Sequence, residues 1–352
     1  MQTFNKGEWS EIYTILYLLA NPNLNIVDSN MNLLTTELYN IKKIIFNSSE
    51  KLEYCIEKDK IILFLDNKHS FNFDLSNIKE NSSKLLHKIL NTTTKTGSFE
   101  IPEIYDFLKI FTYNHKLKSS SQNKADILLR LFDNKLLLSQ DLFYSVKSSL
   151  GSPATILNSS QNTNFEYYIE NLNPKYINEI NSINSKTKLL DRIKKINELG
   201  GKIIFNRVTS KSFEYNLQLI DSNLPSYLGN ALLYSYEKNN KNLAEIFYLA
   251  NNFTDKTFSD KKLADFLNGT SFGFMPGTKW NGENSVTGGL LIILHDGKIV
   301  CLDLIYYKKE VDRYLINNTK LDTPSSSRYH MLELKKYNNR IYFTLNLQVR
   351  YK

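Results

Sequence analysis

The chain has 352 residues, of which 41% are hydrophobic and 23% are charged, and this balance excludes a disordered or fibrous protein. It carries 44 Lys and Arg against 36 Asp and Glu, a net charge of +8, which is typical of a protein with a polyanionic partner or simply of a Lys-rich soluble protein. Two cysteines, Cys55 and Cys301, are too few for a disulfide framework and lack zinc-site spacing, so we expect a reducing compartment.

The N-terminus does not have the pattern of a signal peptide. Its apolar stretch is short, contains Glu8 and Glu11, and lacks a basic head and a small-residue cleavage site. No segment approaches the ~20 consecutive apolar residues that a membrane-spanning helix needs. We therefore expect a soluble, cytoplasmic protein with no membrane partner.

The first part of the chain predicts a helix, a β-meander, further helices and a pair of strands. Apolar residues recur at helical spacing from Gly7 to Ala20, and Asn21-Pro22 ends this run. Four short runs separated by polar turn clusters predict antiparallel strands at 41–46, 51–57, 60–65 and 70–75. Helical periodicity follows at 82–90 and 101–111, and two consecutive strands are predicted at 125–133 and 141–151.

The second part is mostly helical after a strand at 164–170, with one interrupting strand at 201–208. It ends in two predicted hairpins, whose turns are His295-Asp296-Gly297 and Tyr337-Asn338-Asn339. The fold class is thus mixed α+β. We expect either a soft domain boundary near residue 170 or one compact unit, because no linker interrupts the chain.

Asp126, Ser145 and Lys147 form the group with the clearest chemistry. Side chains at positions i and i+2 of a strand share a face, so Ser145 and Lys147 point the same way, and the paired strand can bring Asp126 beside them. A carboxylate that binds Mg²⁺, a second oxygen ligand and a lysine near the attacking water are what metal-dependent phosphodiester hydrolysis needs. The alternative is a turn aspartate and an ordinary strand-end lysine.

Ser145 is the weak point of this group, because a hydroxyl is a poorer Mg²⁺ ligand than a carboxylate. It either ligates through water or orients Lys147, and a second carboxylate is expected from elsewhere. A helix laid on the sheet can deliver Glu8 or Glu11 to the metal. The alternative is that both are surface charges that interact favourably with the helix dipole.

Five segments, spread in order over nearly the whole chain, resemble the successive blocks of the HpaII family of type II restriction endonucleases. They are FNKGEWSEIYTILYLLA, DLFYSVKSSLGSPATILNSSQNTNFEY, LIDSNLP, KWNGENSVTGG and YLINNTKLDTPSSSRYH…LNLQVRY. The resemblance implies a PD-(D/E)xK-like nuclease core, in which a mixed β-sheet flanked by helices carries the active site. Additional helical and β-hairpin elements are then expected to serve DNA recognition.

The resemblance also implies roles for individual residues. Asp126 takes the place of the metal-binding aspartate and Lys147 that of the catalytic lysine, whereas Ser145 stands where the second acid is expected. In resolvase-like nucleases a glutamate lies four residues after a glycine on the first helix. Gly7 and Glu11 match that pattern, so Glu11 is favoured narrowly over Glu8 as the second metal ligand.

Polar segments supply the candidates for DNA contact. They are Lys116, Lys118, Ser148, Ser149, Ser152, Asn158, Gln161, Asn164, Lys279, Asn281, Lys320, Asp322, Ser325 and Arg328. The Ser/Lys loop around Lys116 suits the DNA backbone, or is only a surface loop. Lys320 and Arg328 suit guanine and Asp322 suits cytosine; alternatively, Asp322 caps a turn or pairs with Arg328.

The resemblance implies a Mg²⁺-dependent type II restriction endonuclease of a restriction-modification system, which cuts both strands of a palindromic double-stranded DNA site, CCGG as in the family's namesake. A two-fold symmetric site is cut most economically by a homodimer. Residues 1–170 would then hold the catalytic strands, and residues 171–352 would serve DNA recognition and dimerisation. The alternatives are a catalytically idle DNA-binding relative, a nuclease for branched or modified DNA, and an unrelated interaction protein.

Overall fold

The structure, a computed structural model, describes residues 3–47, 51–66, 68–92, 97–113 and 124–352. The chain divides into two compact units, and each unit combines two separate stretches of sequence. The first unit is Met1–Ala154 with Asn284–Tyr314, and the second is Thr155–Glu283 with Leu315–Lys352. These limits do not coincide with the expected boundary near residue 170. The assignment of recognition and dimerisation to one part of the chain stays a prediction.

The first unit is built on a mixed sheet that has ten strands among the described residues. Its helices are α1 (Lys6–Ala20), α2 (Leu75–Asn91) and α3 (Tyr105–Phe111), the last preceded by a 3-10 turn at Pro102–Ile104. Its strands are β1 (Ile26–Val27), β2 (Leu33–Thr35), β3 (Tyr39–Asn47), β4 (Lys51–Glu57), β5 (Lys60–Leu65), β6 (Lys68–Asp74), β7 (Ile127–Asp133), β8 (Leu138–Ser148), β12 (Gly289–Ile293) and β13 (Ile299–Asp303).

The order of these strands is β2-β1-β13-β12-β8-β7-β3-β4-β5-β6. The predicted antiparallel meander is confirmed as β3 to β6, and the predicted strand pair is confirmed as β7 and β8. In the middle of the sheet, β8 pairs antiparallel with β7 and parallel with β12. The hairpin of β12 and β13 therefore supports β8 from its other side.

Helix α1 confirms the first predicted helix and begins with a capping box. The Asn5 side chain accepts from the Glu8 N–H at 3.0 Å, and the Glu8 carboxylate accepts from the Asn5 N–H at 2.9 Å. Trp9, Ile12 and Leu16 are at most 2% exposed and belong to the core that also contains the sheet residues. Each such side chain contributes about 1.5–3 kcal/mol by burial, which holds α1 to the sheet.

The second unit contains a four-stranded sheet of order β11-β10-β16-β15 and a three-stranded sheet of order β14-β17-β9. Its strands are β9 (Thr155–Leu157), β10 (Asn164–Glu170), β11 (Lys202–Val208), β14 (Thr319–Leu321), β15 (Lys335–Tyr337), β16 (Arg340–Asn346) and β17 (Val349–Tyr351). Its helices are α4 (Ile177–Ser182), α5 (Lys188–Glu198), α6 (Lys211–Ile220), α7 (Leu224–Lys238), α8 (Leu243–Ala250) and α9 (Lys256–Asn268), and α10 (Lys308–Asn318) leads from the first unit into it. The predicted α+β class is confirmed.

The last hairpin is confirmed, and its turn residues Asn338 and Asn339 both adopt positive φ, as a tight turn between strands requires.

Helix α10 was missed because KKEVDRYLINN has only a narrow apolar stripe, with Val311 and Leu315 buried. Within the described ranges, no helix is long and apolar enough to cross a membrane.

Gly289, the first residue of β12, lies opposite Tyr144 of β8 and has a φ of +136°. A Cβ atom there would lie 2.1 Å from the Leu302 carbonyl oxygen. We expect Gly289→Ala to lower the free energy of unfolding by about 3 kcal/mol, because backbone strain and overpacking add. Gly200→Ala, at φ +79° with open space around it, should cost only ~1 kcal/mol. Equal losses in denaturant titrations of the two variants would contradict this interpretation.

Candidate active site

The paired ends of β7 and β8 position Asp126. The regular pairing of the two strands ends at Ile127 and Tyr144, and the Asp126 N–H donates to the Tyr144 carbonyl at 2.9 Å. This bond continues the ladder by one step and places Asp126 beside Ser145. The strand pairing expected from the sequence therefore brings the three predicted residues together.

Asp126, Ser145 and Lys147 form a continuous hydrogen-bonded chain. The Lys147 ammonium donates to Ser145 Oγ at 2.7 Å, and Ser145 Oγ donates to Asp126 Oδ2 at 3.0 Å. The backbone N–H of Val146 donates to the same carboxylate oxygen at 2.6 Å. Ser145 is only 1% exposed, so its hydroxyl has a fixed orientation between the carboxylate and the ammonium. Ser145 thus holds Lys147 in place.

A second lysine, Lys124, interacts electrostatically with Asp126 and Lys147, and the sequence reasoning missed it. Burial and the positive charge of Lys147 lower the pKa of Lys124 from 10.5 to about 8, against the opposing effect of Asp126. Its only signal in the sequence was its position two residues before Asp126, just ahead of β7. Two lysines around one carboxylate favour an anionic ligand.

A cavity of about 410 Å³ lies where the N-terminal turns of α1 meet the end of β8. Its lining includes Glu11 and Lys147, so the helix glutamate and the strand lysine open to the same space. The other lining residues are Asn5, Lys6, Gly7, Ser10, Gly97, Val146, Ser148, Gly151, Ser152 and Ala154. Glu8 instead closes the capping box of α1 with Asn5. The two candidate glutamates therefore have different surroundings.

A hydrogen bond between two hydroxyl groups joins α1 to the end of β8. Ser10 Oγ and Ser148 Oγ lie 2.9 Å apart, and Ser10 Oγ also lies 2.7 Å from the Lys6 carbonyl oxygen one turn earlier. Ser10 is 1% exposed. Because Glu11 follows Ser10, this contact sets where the glutamate enters the cavity.

The carboxylates near Lys147 are oxygen donors of the kind that Mg²⁺ prefers. In the part of the chain that the structure describes, no group of three or more His, Cys, Asp and Glu side chains could hold a metal ion. Magnesium, however, uses one or two carboxylates and completes its shell with water and substrate phosphate oxygens. Glu11 lines the cavity of Lys147, and Asp126 is joined to Lys147 through Ser145, so two carboxylates lie near this lysine.

The DNA-contact candidates of the first unit divide between the cavity and its surroundings. Ser148 and Ser152 line the cavity, while the Ser149 N–H donates to the Ile293 carbonyl of β12 at 2.9 Å. Lys116 and Lys118 lie outside the described residues. The tract after Lys147 therefore contributes two hydroxyl groups to the cavity.

Three candidates of the second unit lie close together in sequence but differ in exposure. Asn158 and Gln161 are exposed. Asn164 is only 8% exposed, and its side chain donates to Gln161 Oε1 at 3.1 Å and accepts from Asn346 Nδ2 at 2.7 Å. Asn164 thus joins an interior network, which corrects the expectation that its amide faces DNA.

The Lys279-Trp280-Asn281 segment is held mainly by local contacts. The Lys279 ammonium lies 4.2 Å from the centre of the Tyr215 ring, and Asn281 donates to the Glu283 carboxylate at 2.9 Å. Trp280 donates from Nε1 to the Glu283 carbonyl at 2.6 Å and packs against Phe274. Trp280 therefore anchors this segment.

Around β14, Asp322 and Lys320 are held by an ion pair and by strand pairing, whereas Arg328 is exposed. Asp322 forms an ion pair with Arg350 at 3.1 Å, which corrects the alternative in which it pairs with Arg328. Lys320 is partly buried in β14 opposite Arg350. Arg328 is exposed and lies over the Tyr329 ring at 5.5 Å, and its N–H donates to Ser325 Oγ at 3.3 Å. Arg328 is thus the best-placed of these side chains to reach a ligand.

Comparison with known proteins confirms the resemblance seen in the five sequence blocks. The sequence model of the HpaII restriction endonuclease family matches residues 5–351. The chain is 35% identical over 356 residues to the type II restriction enzyme HpaII of Haemophilus parainfluenzae, covering 99% of this chain and 98% of that relative. No solved structure matches the chain. The similarity extends through both units.

Proposed function

The chain belongs to the HpaII restriction endonuclease family, and from this premise we propose that it hydrolyses both strands of the palindromic DNA site CCGG with Mg²⁺. The observation that carries the proposal for the active site is the hydrogen-bonded chain of Asp126, Ser145 and Lys147. It supplies a carboxylate and an oriented ammonium group at one end of two paired strands. Glu11 opens to the same cavity as that ammonium group.

Each side chain has a defined task in this proposal. Asp126 and Glu11 would hold Mg²⁺, which when bound would polarise the scissile phosphate and make water a better nucleophile. Lys147 hydrogen-bonds the attacking water and offsets the negative charge that develops on the phosphate. Ser145 positions Lys147, since its hydroxyl accepts from the ammonium while it donates to Asp126.

Positive charge at the site supports binding of a DNA backbone. Lys124 and Lys147 both lie near Asp126, and the whole chain carries a net charge of +8. Phosphate contacts of this kind supply affinity without sequence discrimination, so base contacts must come from other residues. Arg328 is our candidate for such a contact. A homodimer would place one such set of residues on each strand of the symmetric site.

A second candidate function is a catalytically idle DNA-binding relative, and one observation favours it. Ser145 occupies the position where the motif expects an acid, and the described residues contain no group of three metal-binding side chains. Such a protein would bind DNA tightly in low salt without cutting it in Mg²⁺. The remaining alternative is a nuclease for branched or modified DNA. Cleavage assays on a panel of such substrates distinguish it from a restriction endonuclease.

The first test is incubation of the purified protein with unmethylated plasmid in Mg²⁺ and in EDTA, followed by sequencing of the fragment ends. We expect discrete Mg²⁺-dependent fragments that share a CCGG end sequence.

Asp126→Ala and Lys147→Ala should lower the cleavage rate at least ~10³-fold, since each removes a group that acts on the reacting phosphate. Both variants should keep the wild-type circular dichroism spectrum. Full activity in either variant would contradict the assignment of Asp126 and Lys147 to the active site.

If the wild-type protein leaves the plasmid intact in Mg²⁺, the catalytically idle DNA-binding relative becomes the favoured function.

The two glutamates of α1 should respond differently to the same substitution. Glu11→Gln removes a proposed metal ligand, so we expect the turnover rate to fall ~100-fold or more with little change in thermal stability. Glu8→Gln is the matched control, because it weakens the capping box by at most ~1 kcal/mol and should leave turnover nearly unchanged. Paired measurements of initial rate and melting temperature test this, and the reverse ranking would assign the second carboxylate to Glu8.

Arg328 should contribute to base discrimination. We expect Arg328→Ala to reduce the preference for the cognate site over single-base variants by about 1–3 kcal/mol, because it removes one guanine contact. Arg340→Ala is the matched control, since Arg340 also lies over a tyrosine ring, Tyr168, at 5.0 Å. Competition binding with a set of oligonucleotides measures both effects. An equal loss of affinity for every sequence would make Arg328 a phosphate contact.

A further inference from the structure

We propose that Lys6 is a second phosphate-binding residue of the active-site cavity and contacts a backbone phosphate next to the one that is cleaved. This inference rests on the proposed function, because it requires that DNA occupies the cavity of Glu11 and Lys147. It adds a residue at the first position of α1 that neither the catalytic motif nor the polar segments identified.

The location of Lys6 is the first support. Lys6 and Lys147 line the same cavity, although one belongs to the start of α1 and the other to the end of β8. Glu11 is the carboxylate in that lining, so cations exceed anions there even before the partial positive charge at the N-terminus of α1 is considered. A polyanion that enters the cavity therefore encounters two cations from different elements.

The way Lys6 is held is the second support. Its ammonium donates to the Leu150 carbonyl oxygen at 3.5 Å, a long hydrogen bond. Its aliphatic stem lies along Gly151, where a Cβ atom would be 3.4 Å from Lys6 Cδ. The loop that follows β8 thus directs the side chain, while the weak contact at Leu150 leaves the ammonium able to move to a stronger acceptor.

The ammonium groups of Lys147 and Lys6 differ in how many hydrogens they have left to donate to a ligand. Lys147 uses one N–H for Ser145 Oγ and another for the Val146 carbonyl, which leaves one for the reacting phosphate or its water. Lys6 has one bond to Leu150, which leaves two hydrogens for phosphate oxygens. Because Lys147 is committed to the reacting group, Lys6 is available for a different backbone phosphate.

The remaining lining suits a sugar-phosphate backbone. Gly97 presents no side chain, and a Cβ atom there would meet no described atom within 4 Å, so a backbone can approach it closely. Ser148 and Ser152 offer hydroxyl groups of the kind that contact phosphates. These side chains are small and uncharged. They form the cavity wall and do not compete with the two lysines for the phosphate oxygens.

The test compares Lys6→Met, Lys6→Arg and a control, Lys109→Met, which changes an exposed lysine of α3. Binding of a CCGG duplex oligonucleotide is measured in EDTA over a range of salt concentrations, and cleavage is measured in Mg²⁺. We expect Lys6→Met to lower the slope of log K against log salt by about 0.9, the value for one phosphate contact. KM should rise several-fold with a smaller change in kcat, Lys6→Arg should restore the slope, and Lys109→Met should match the wild type.

Lys6→Met keeps the stem that packs on Gly151, so its fold is checked by its melting temperature. An unchanged salt slope in Lys6→Met, with or without a lower melting temperature, would overturn the proposal and make Lys6 an anchor of α1. A loss confined to kcat would also overturn it. Failure of the proposed function looks different, because the wild-type protein itself would then show no Mg²⁺-dependent cleavage.

Discussion

The buried hydroxyl of Ser145 is the group on which the arrangement of the candidate site depends. It donates to Asp126 and accepts from Lys147, so it connects a carboxylate and an ammonium group that extend from neighbouring strand ends. A carboxylate at position 145 would place two negative charges close together and would compete with Asp126 for Lys147. Serine avoids that repulsion but is a weaker metal ligand. The proposed Mg²⁺ site would therefore need a second acid from another element.

That requirement gives the packing of α1 a functional consequence. The apolar face of the helix is buried against the sheet, and the hydroxyl contact of Ser10 with Ser148 joins its second turn to the end of β8. Glu8 completes the cap, whereas Glu11, one turn later, reaches the cavity of Lys147. The same helix thus uses one glutamate for its own stability and presents the other to the proposed metal.

Local patterns in the sequence were sufficient to predict α1, the meander, the β7–β8 pair and the shared face of Ser145 and Lys147. These features depend on periodicity and on pairing between adjacent segments. The parallel pairing of β8 with β12 joins residues about 145 positions apart, and the pair of Asp322 with Arg350 also forms across distant segments. No local pattern reports such contacts, and for the same reason the burial of Asn164 was missed.

The small number of acidic ligands has a thermodynamic consequence for the proposed reaction. Two carboxylates leave most of the coordination shell of Mg²⁺ to water and to phosphate oxygens of the substrate. The lysines near Asp126 oppose binding of the cation alone, and a DNA phosphate reduces that opposition because it brings negative charge and ligand oxygens together. In the proposed reaction, metal and DNA would therefore bind cooperatively, and linkage would then require each to raise the affinity of the site for the other by the same factor. The proposed site, with few acids and several lysines, would thus be completed by its substrate and would bind the metal only weakly where no DNA is present.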